Sequence, residues 1–426
     1  MTMFGMQHSE VADLMGVIAP ESPTSEGIRE RVARAFWTAI AEPGDRIAGL
    51  AVASLGAGAA LDVVAEGRTA IDVLRLLCES GADELDSLDL SELDVRRALE
   101  RWQPRMLPAT MLVALRQAER HGARLIVPSS PGWPARMSDL GAAGPIALWC
   151  RGTDAALASL ATSISLVGAR AATAYGEQVT IEASAGLVDR GYAVVSGAAY
   201  GIDGAAHRAA LASHGRTIAF LAGGVDRFYP SGHDQLLARI AEVGAVISEL
   251  PCGVAPTKWR FLSRNRLIAA ASGATVVLEA GARSGSLNTA GHASALGRPL
   301  GAVPGPVTSA ASAGCHTLLR EFDATCVTNA DEMAELAPID GLFGLLDAPL
   351  EGRRTGRLRD RPASQLRVLD AMSTRTPRNS AQIAIRSGLS IQDVRAVLGE
   401  LHLEGTVSER ETGWLASADS ARSRGR

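Results

Sequence analysis

The sequence has a single lysine, Lys258; all its other basic side chains, out of a Lys plus Arg total of 42, are arginine. A GC-rich coding bias explains most of that imbalance. Because that lysine does not follow a glycine-rich turn and precede Ser or Thr, the chain has no P-loop, and ATP hydrolysis of that type is excluded. The cysteines, Cys78, Cys150, Cys252, Cys315 and Cys326, form no C-x-x-C pair and leave one over. A disulfide scaffold and a structural zinc site are therefore excluded, and a reducing, cytoplasmic setting is expected. An excess of positive charge is also missing. With 42 basic against 46 acidic side chains the formal charge is −4, so the protein cannot coat nucleic acid by bulk charge, and any such site must be local. The first residues lack a basic stretch followed by an apolar run, so no secretory signal is read. Uncharged residues 47–61 fall short of the roughly 18 needed to span a bilayer, and residues 299–319 are broken by Pro299, Pro304 and Pro306. No membrane partner is expected.

Hydrophobic residues at 47% and charged residues at 21% describe a globular chain, and 426 residues accommodate several domains. Residues 1–25, rich in Met, Ser and Pro with no clear period, read as a flexible N-terminus. Over 26–120 apolar residues recur at helical spacing, as in Ile28, Val32, Ala35 and Phe36, which predicts a helical domain of SAM or helix-hairpin-helix type. Its Leu55-Gly-Ala-Gly-Ala turn resembles a phosphate-gripping hairpin, but an apolar core hairpin is the better reading. Over 121–338 apolar β runs alternate with helical stretches, beginning at Ile164, Ala193, Thr217, Ala245, Thr275 and Leu300. This predicts an α/β fold with a doubly wound parallel sheet. Residues 339–361 read as a linker, 362–418 as a winged helix, and 419–426 as a basic tail.

In such a sheet ligands bind beyond the carboxyl ends of the strands. There the sequence places Gly168-Ala-Arg170, Ser196-Gly197-Ala-Ala-Tyr-Gly-Ile-Asp203, Ala222-Gly-Gly-Val-Asp226 and Ser284-Gly-Ser286. Small residues leave backbone amides open at helix N-termini, where aligned peptide dipoles favour an anion. The turn after Gly168 lacks the further glycines of G-x-G-x-x-G, which disfavours a dinucleotide; no cofactor is expected. The strongest local signal is Lys258-Trp-Arg-Phe261-Leu-Ser-Arg264-Asn265-Arg266, with four cations, two aromatics and no acid in nine residues. Cations neutralise phosphates and aromatic faces stack on bases, so this stretch points to nucleic acid.

Taken together, Gly168-x-Arg170 with Tyr175-Gly176, Ser196-Gly-x-Ala-x-Gly-Ile-Asp-x-x-Ala-His207, Gly224-x-Asp-x-x-Tyr-Pro230, Ser248-Glu249, Arg264-Asn-Arg266, Ser284-Gly-Ser286 with Thr289-Ala290, and Pro304-Gly305 resemble the DprA/Smf family over about residues 120–338. The resemblance implies a Rossmann-like central domain and a non-catalytic protein that binds and protects single-stranded DNA and loads the RecA recombinase in natural transformation. It implies a homodimer formed through the central domain. By position it puts Arg170 and Lys258 on phosphates, Phe261 under a base, and Ser196 and Gly197 as amide donors. Gly168, Arg264, Asn265, Arg266 and Ser284 complete the expected DNA site. The sequence departs from the family where Phe-Pro before Arg-Asn-Arg reads Phe261-Leu-Ser263, and where Gly-Ala after the last helix reads Asp323-Ala324.

Two enzymatic alternatives compete with this reading. Asp203 and His207, one helical turn apart, with Glu279 and His292, present metal-binding side chains, although an Asp in a first turn suits capping better. Asp226 and Glu249 are candidates for the acid and base of a nucleoside-monophosphate hydrolase. The Pro-Gly-Gly-x-Gly-Thr turn of such enzymes is absent. For the winged helix, the six arginines and six acids of residues 362–418 suit a protein partner better than phosphates, and little contribution to DNA affinity is expected from it.

Overall fold

The computed structural model describes residues 2–21, 24–80, 90–339, 362–410 and 412–417. Apart from Ile339, the expected linker and the basic tail lie outside those residues. The chain divides into two compact units, Met1–Arg116 with Thr257–Trp259 and Arg359–Arg426, and Gln117–Pro256 with Arg260–Leu358.

The first unit begins with a hairpin of β1 (Thr2–Met3) and β2 (Met6–Gln7), followed by the helix His8–Ile18. This corrects the expectation of a flexible N-terminus. Met3 and Met6, with Val11, Leu14, Met15 and Ile18 at helical spacing, are all buried, and their removal from water holds the segment down. Three of the helices that follow are capped by side chains at their starts: Thr24 starts Ser25–Ile40, Asp45 starts Arg46–Leu55, and Ser91 forms a capping box with Asp94. Trp37 and Trp102 meet edge to face at 5.0 Å in the core. The Leu55-Gly56 turn joins Arg46–Leu55 to Ala57–Ala65 at 115°. Its Gly58 amide already donates to Glu30 Oε2 at 3.2 Å, so this turn has no open amide there for a phosphate. No single helix among the described residues is long and apolar enough to cross a membrane.

The second unit is built on one sheet of β3 (Arg124–Ile126), β4 (Leu148–Gly152), β5 (Ser163–Gly168), β6 (Ala193–Ser196), β7 (Thr217–Leu221), β8 (Ala245–Ser248), β9 (Ala274–Glu279), β10 (Leu300–Ala302) and β11 (Thr325–Cys326). The order is β11-β10-β9-β5-β6-β7-β8-β4-β3. Strands β11 through β8 in that order run parallel, whereas β4 and β3 add antiparallel at the β8 edge. Both faces are covered. Ile164, Leu166, Val194 and Val276 pack with Leu187 and Ala206 on one side, and Val167, Val195, Phe220 and Val277 pack with Leu267, Ile268 and Leu287 on the other. Burial on both faces is why the strands read as unbroken apolar runs. The order reverses at β5: successive strands lie on one side through β8, and then on the other from β9. The crevice at the carboxyl ends of β5 and β9 is thus the switch point of the sheet.

The winged helix consists of Ala363–Ala371, Ser380–Ser387 and Ile391–Leu403, with β12 (Val407–Arg410) and β13 (Gly413–Ala416) as an antiparallel wing. Val368, Ile383, Val394, Leu398 and Leu401 form its core. It shares a unit with the N-terminal helices. Arg105 donates to Ile40 O, Ile385 O and Glu42, and Arg367 donates to Ser387 O and Gly388 O at 2.8 and 2.7 Å.

Candidate nucleic-acid interface

A cleft opens beyond the ends of β5 and β9. Its walls come from each of the strand-end segments singled out in the sequence except the one after β7. They include Gly168 and Arg170, Ala199 and Asp203, Phe261, Arg264 and Asn265, and Ser284 to Ser286 with Thr289. Gly168 ends β5 where the backbone passes so close to its neighbours that an added methyl would meet the Ile202 side chain at 2.6 Å and Glu279 O at 2.8 Å. Beyond Glu279, the helix Ser286–Ala295 starts at the cleft with no acidic residue in its first turn; its Ser286 amide donates to Ser284 Oγ at 3.4 Å. Ser284 Oγ lies 2.8 Å from Ser286 Oγ in the same wall.

Phe261 is half-buried, with one exposed cation beside it. The Arg170 guanidinium sits 5.2 Å from its ring centroid, that of Arg264 sits 5.7 Å away, and the Tyr229 ring lies at 5.5 Å, tilted by 52°. Tyr229, itself half exposed, did not stand out in the sequence as a site residue. Its place in a strand-end loop is the signal that was available. Lys258 is exposed and begins the helix Lys258–Ala271, three residues ahead of Phe261 on the same helix.

Other expected contacts take structural roles instead. Ser196 is fully buried and donates its Oγ–H to Leu166 O at 2.6 Å, so its side chain serves the fold rather than the cleft. Gly197 is needed for close approach: a methyl there would collide with the Arg264 guanidinium. Its amide, however, donates to Asp203 Oδ2 at 3.2 Å, with the Ala199 amide at 3.4 Å. The second turn therefore engages a carboxyl of its own, and the Gly197 amide is corrected from a phosphate donor to a partner of Asp203. Burial raises the Asp203 carboxyl from its ordinary value, while the Arg264 charge and the two amides oppose that rise.

Arg264 is 6% exposed and donates from Nη1 to Gly197 O at 2.8 Å and to Phe220 O. Burial brings its guanidinium down to about 10, against the attraction of Asp203, so it keeps its charge at neutral pH. It lends the cleft a fixed positive potential rather than a free hand for phosphate. Asn265 lines the cleft and donates to Asn288 Oδ1 at 3.2 Å. Arg266 is corrected outright. It does not line the cleft; both oxygens of the buried Glu249 accept from its Nη2, at 2.6 and 2.7 Å.

The carboxylates weighed for catalysis are similarly engaged. Glu249 pairs with Arg266, Asp226 Oδ1 accepts the Gly253 amide at 2.9 Å, and Glu279 accepts the Thr173 amide and hydroxyl at 2.8 and 2.6 Å. Buried His207 holds its Nδ1 2.7 Å from Thr217 Oγ1, and burial pushes it down to about 3, so it is neutral. No group of three His, Cys, Asp or Glu among the described residues is placed to hold a metal ion.

Residues 124–338 match the family described as DNA recombination-mediator protein A, and residues 354–412 match the DprA winged helix domain. A Mycobacterium tuberculosis protein named as a DNA processing protein DprA is 47% identical over 306 residues, covering 69% of this chain and 77% of its own length. Protein Smf of Escherichia coli is 36% identical over 274 residues, covering 64% of this chain and 71% of its own. Among solved structures, DNA processing protein A from Streptococcus pneumoniae superposes with a TM-score of 0.55 at 27% identity, over 72% of this chain and 97% of that one.

Proposed function

The chain belongs to the DprA/Smf family, and from that premise we propose that it is a DNA processing protein that holds single-stranded DNA at the switch-point cleft. The observation that carries the reading is the cleft itself. An exposed arginine, a half-buried phenylalanine and the acid-free start of the helix Ser286–Ala295 converge at one sheet end, and the arginine already lies against the ring. Arg170 pairs a phosphate, Phe261 stacks a base, and Lys258 pairs a second phosphate from the first turn of the Phe261 helix. Arg264 supplies charge from below. The family relationship supports the wider role: shielding incoming single strands, loading RecA on them during transformation, acting as a homodimer, and working in the cytoplasm. No covalent step is assigned, because the carboxylates nearest the cleft are already engaged by backbone amides, a hydroxyl or an arginine.

Fluorescence anisotropy with matched single-stranded and duplex oligonucleotides tests the reading. Single strands are expected to bind at least tenfold more tightly, since paired bases offer no free face to Phe261, and nucleoside monophosphates are expected to stay intact on incubation. Equal affinity for both forms, or release of free base, contradicts it.

A further inference from the structure

The helix that starts at Lys258 has no acidic residue in its own first turn, yet its N-terminus is not without an anion. The Trp259 amide donates to Asp370 Oδ2 at 2.7 Å. Asp370 belongs to the first helix of the winged-helix module, Ala363–Ala371, 111 residues along the chain. Three residues earlier on that helix, and so on the same face, Arg367 places its guanidinium 5.5 Å from the centroid of the Trp259 ring. The winged helix thus clasps Trp259 twice, by its backbone with a carboxylate and by its ring with a cation. Arg367 is itself fixed by the carbonyls of Ser387 and Gly388, so the clasp is anchored in the body of the module.

From this we infer that the winged helix is an internal competitor for DNA, with the Asp370 carboxylate in the place of a backbone phosphate on the first turn of the Lys258 helix. The inference rests on the proposed assignment of Lys258 to a phosphate. An anion at a helix N-terminus accepts the orphan amides and meets the positive end of the dipole, and a DNA phosphate satisfies the same requirements. While Asp370 holds the Trp259 amide, a phosphate drawn to Lys258 meets a like charge next to it. Release of the clasp frees the amide and removes the repulsion. This gives the winged helix a role that its balanced charge did not suggest, since one well-placed carboxylate acts where net charge is neutral.

The test uses the full-length chain and a fluorescent single-stranded oligonucleotide. Asp370→Asn keeps the shape and removes the charge; it is expected to bind about three- to fivefold more tightly than the unaltered protein, the size of a helix-terminus charge effect. Glu409→Gln, an exposed change of the same charge on the wing, is expected to bind as the unaltered protein does. In a Lys258→Ala background the gain from Asp370→Asn should largely vanish, because the phosphate that profits is the one Lys258 draws in. A matching melting temperature confirms that each variant is folded. If Asp370→Asn binds like or below the unaltered protein, or Glu409→Gln gains equally, or the gain persists without Lys258, the clasp is structural only. Failure of every variant to bind single strands overturns the DNA assignment as well, whereas equal binding by the unaltered and Asp370→Asn proteins overturns the competitor alone.

Discussion

Phe261→Ala is expected to weaken single-strand binding by about 1–3 kcal/mol, the worth of one base stacked on an aromatic side chain. Phe261 shares its ring surface with Arg170, Arg264 and Tyr229, so it does not act alone. The Arg170 cation over the ring keeps a flexible side chain beside Phe261, and the ring is held in return. Arg170→Ala and Phe261→Ala should therefore be non-additive. A double-mutant cycle on affinity is expected to return a coupling of about 0.5–2 kcal/mol, as for residues in contact. Strictly additive losses would mean that the cation and the ring serve independent contacts.

Glu249→Ala is expected to cost about 3–5 kcal/mol of stability while leaving the cleft residues in place, because it strands the Arg266 charge in the interior. The Arg266 and Glu249 side chains are 6% and 9% exposed, and Arg266 Nε and Nη1 have no partner among the described residues, so Glu249 alone meets that charge by hydrogen bonding. Lys258→Ala, at an exposed position, should leave stability within about 0.5 kcal/mol. Denaturant midpoints separate the two arginine roles: a large loss in Glu249→Ala marks Arg266 as structural, and unchanged midpoints in that variant would return Arg266 to the candidate surface.

The strands of the central sheet were legible because each is buried on both faces and so carries an apolar run without interruption. β11 was not, since Thr325 and Cys326 are both exposed and two residues leave no pattern. The antiparallel addition of β4 and β3 was also hidden, because an apolar run does not record the direction of its neighbour. At the site, the small-residue turns that begin at Gly168, Ser196 and Ser284 line the cleft, whereas the equally glycine-rich turn after β7 does not. What the sequence did not separate was arginine facing water from arginine facing the core. Helical phase held that information: Phe261, Asn265 and Ile268 share the cleft face of their helix, and Arg266 falls well off it, toward Glu249. The role of Asp203 as an internal acceptor in the second turn was partly legible from its first-turn position, but its hold on the Gly197 amide needed the fold of that turn.

The central claim is that Arg170 and Lys258 neutralise phosphates while Phe261 reads a base face, and the salt dependence of single-strand affinity tests it most directly. With two or three phosphates engaged, log affinity should fall with log salt at a slope of roughly −1.5 to −2, from about −0.7 per phosphate on single strands. Arg170→Ala and Lys258→Ala should each flatten that slope by roughly 0.7, and Phe261→Ala should lower affinity at every salt concentration while leaving the slope unchanged. A slope that stays the same in both cation variants, with affinities equal to that of the unaltered protein, would contradict the account and place the DNA elsewhere on the chain.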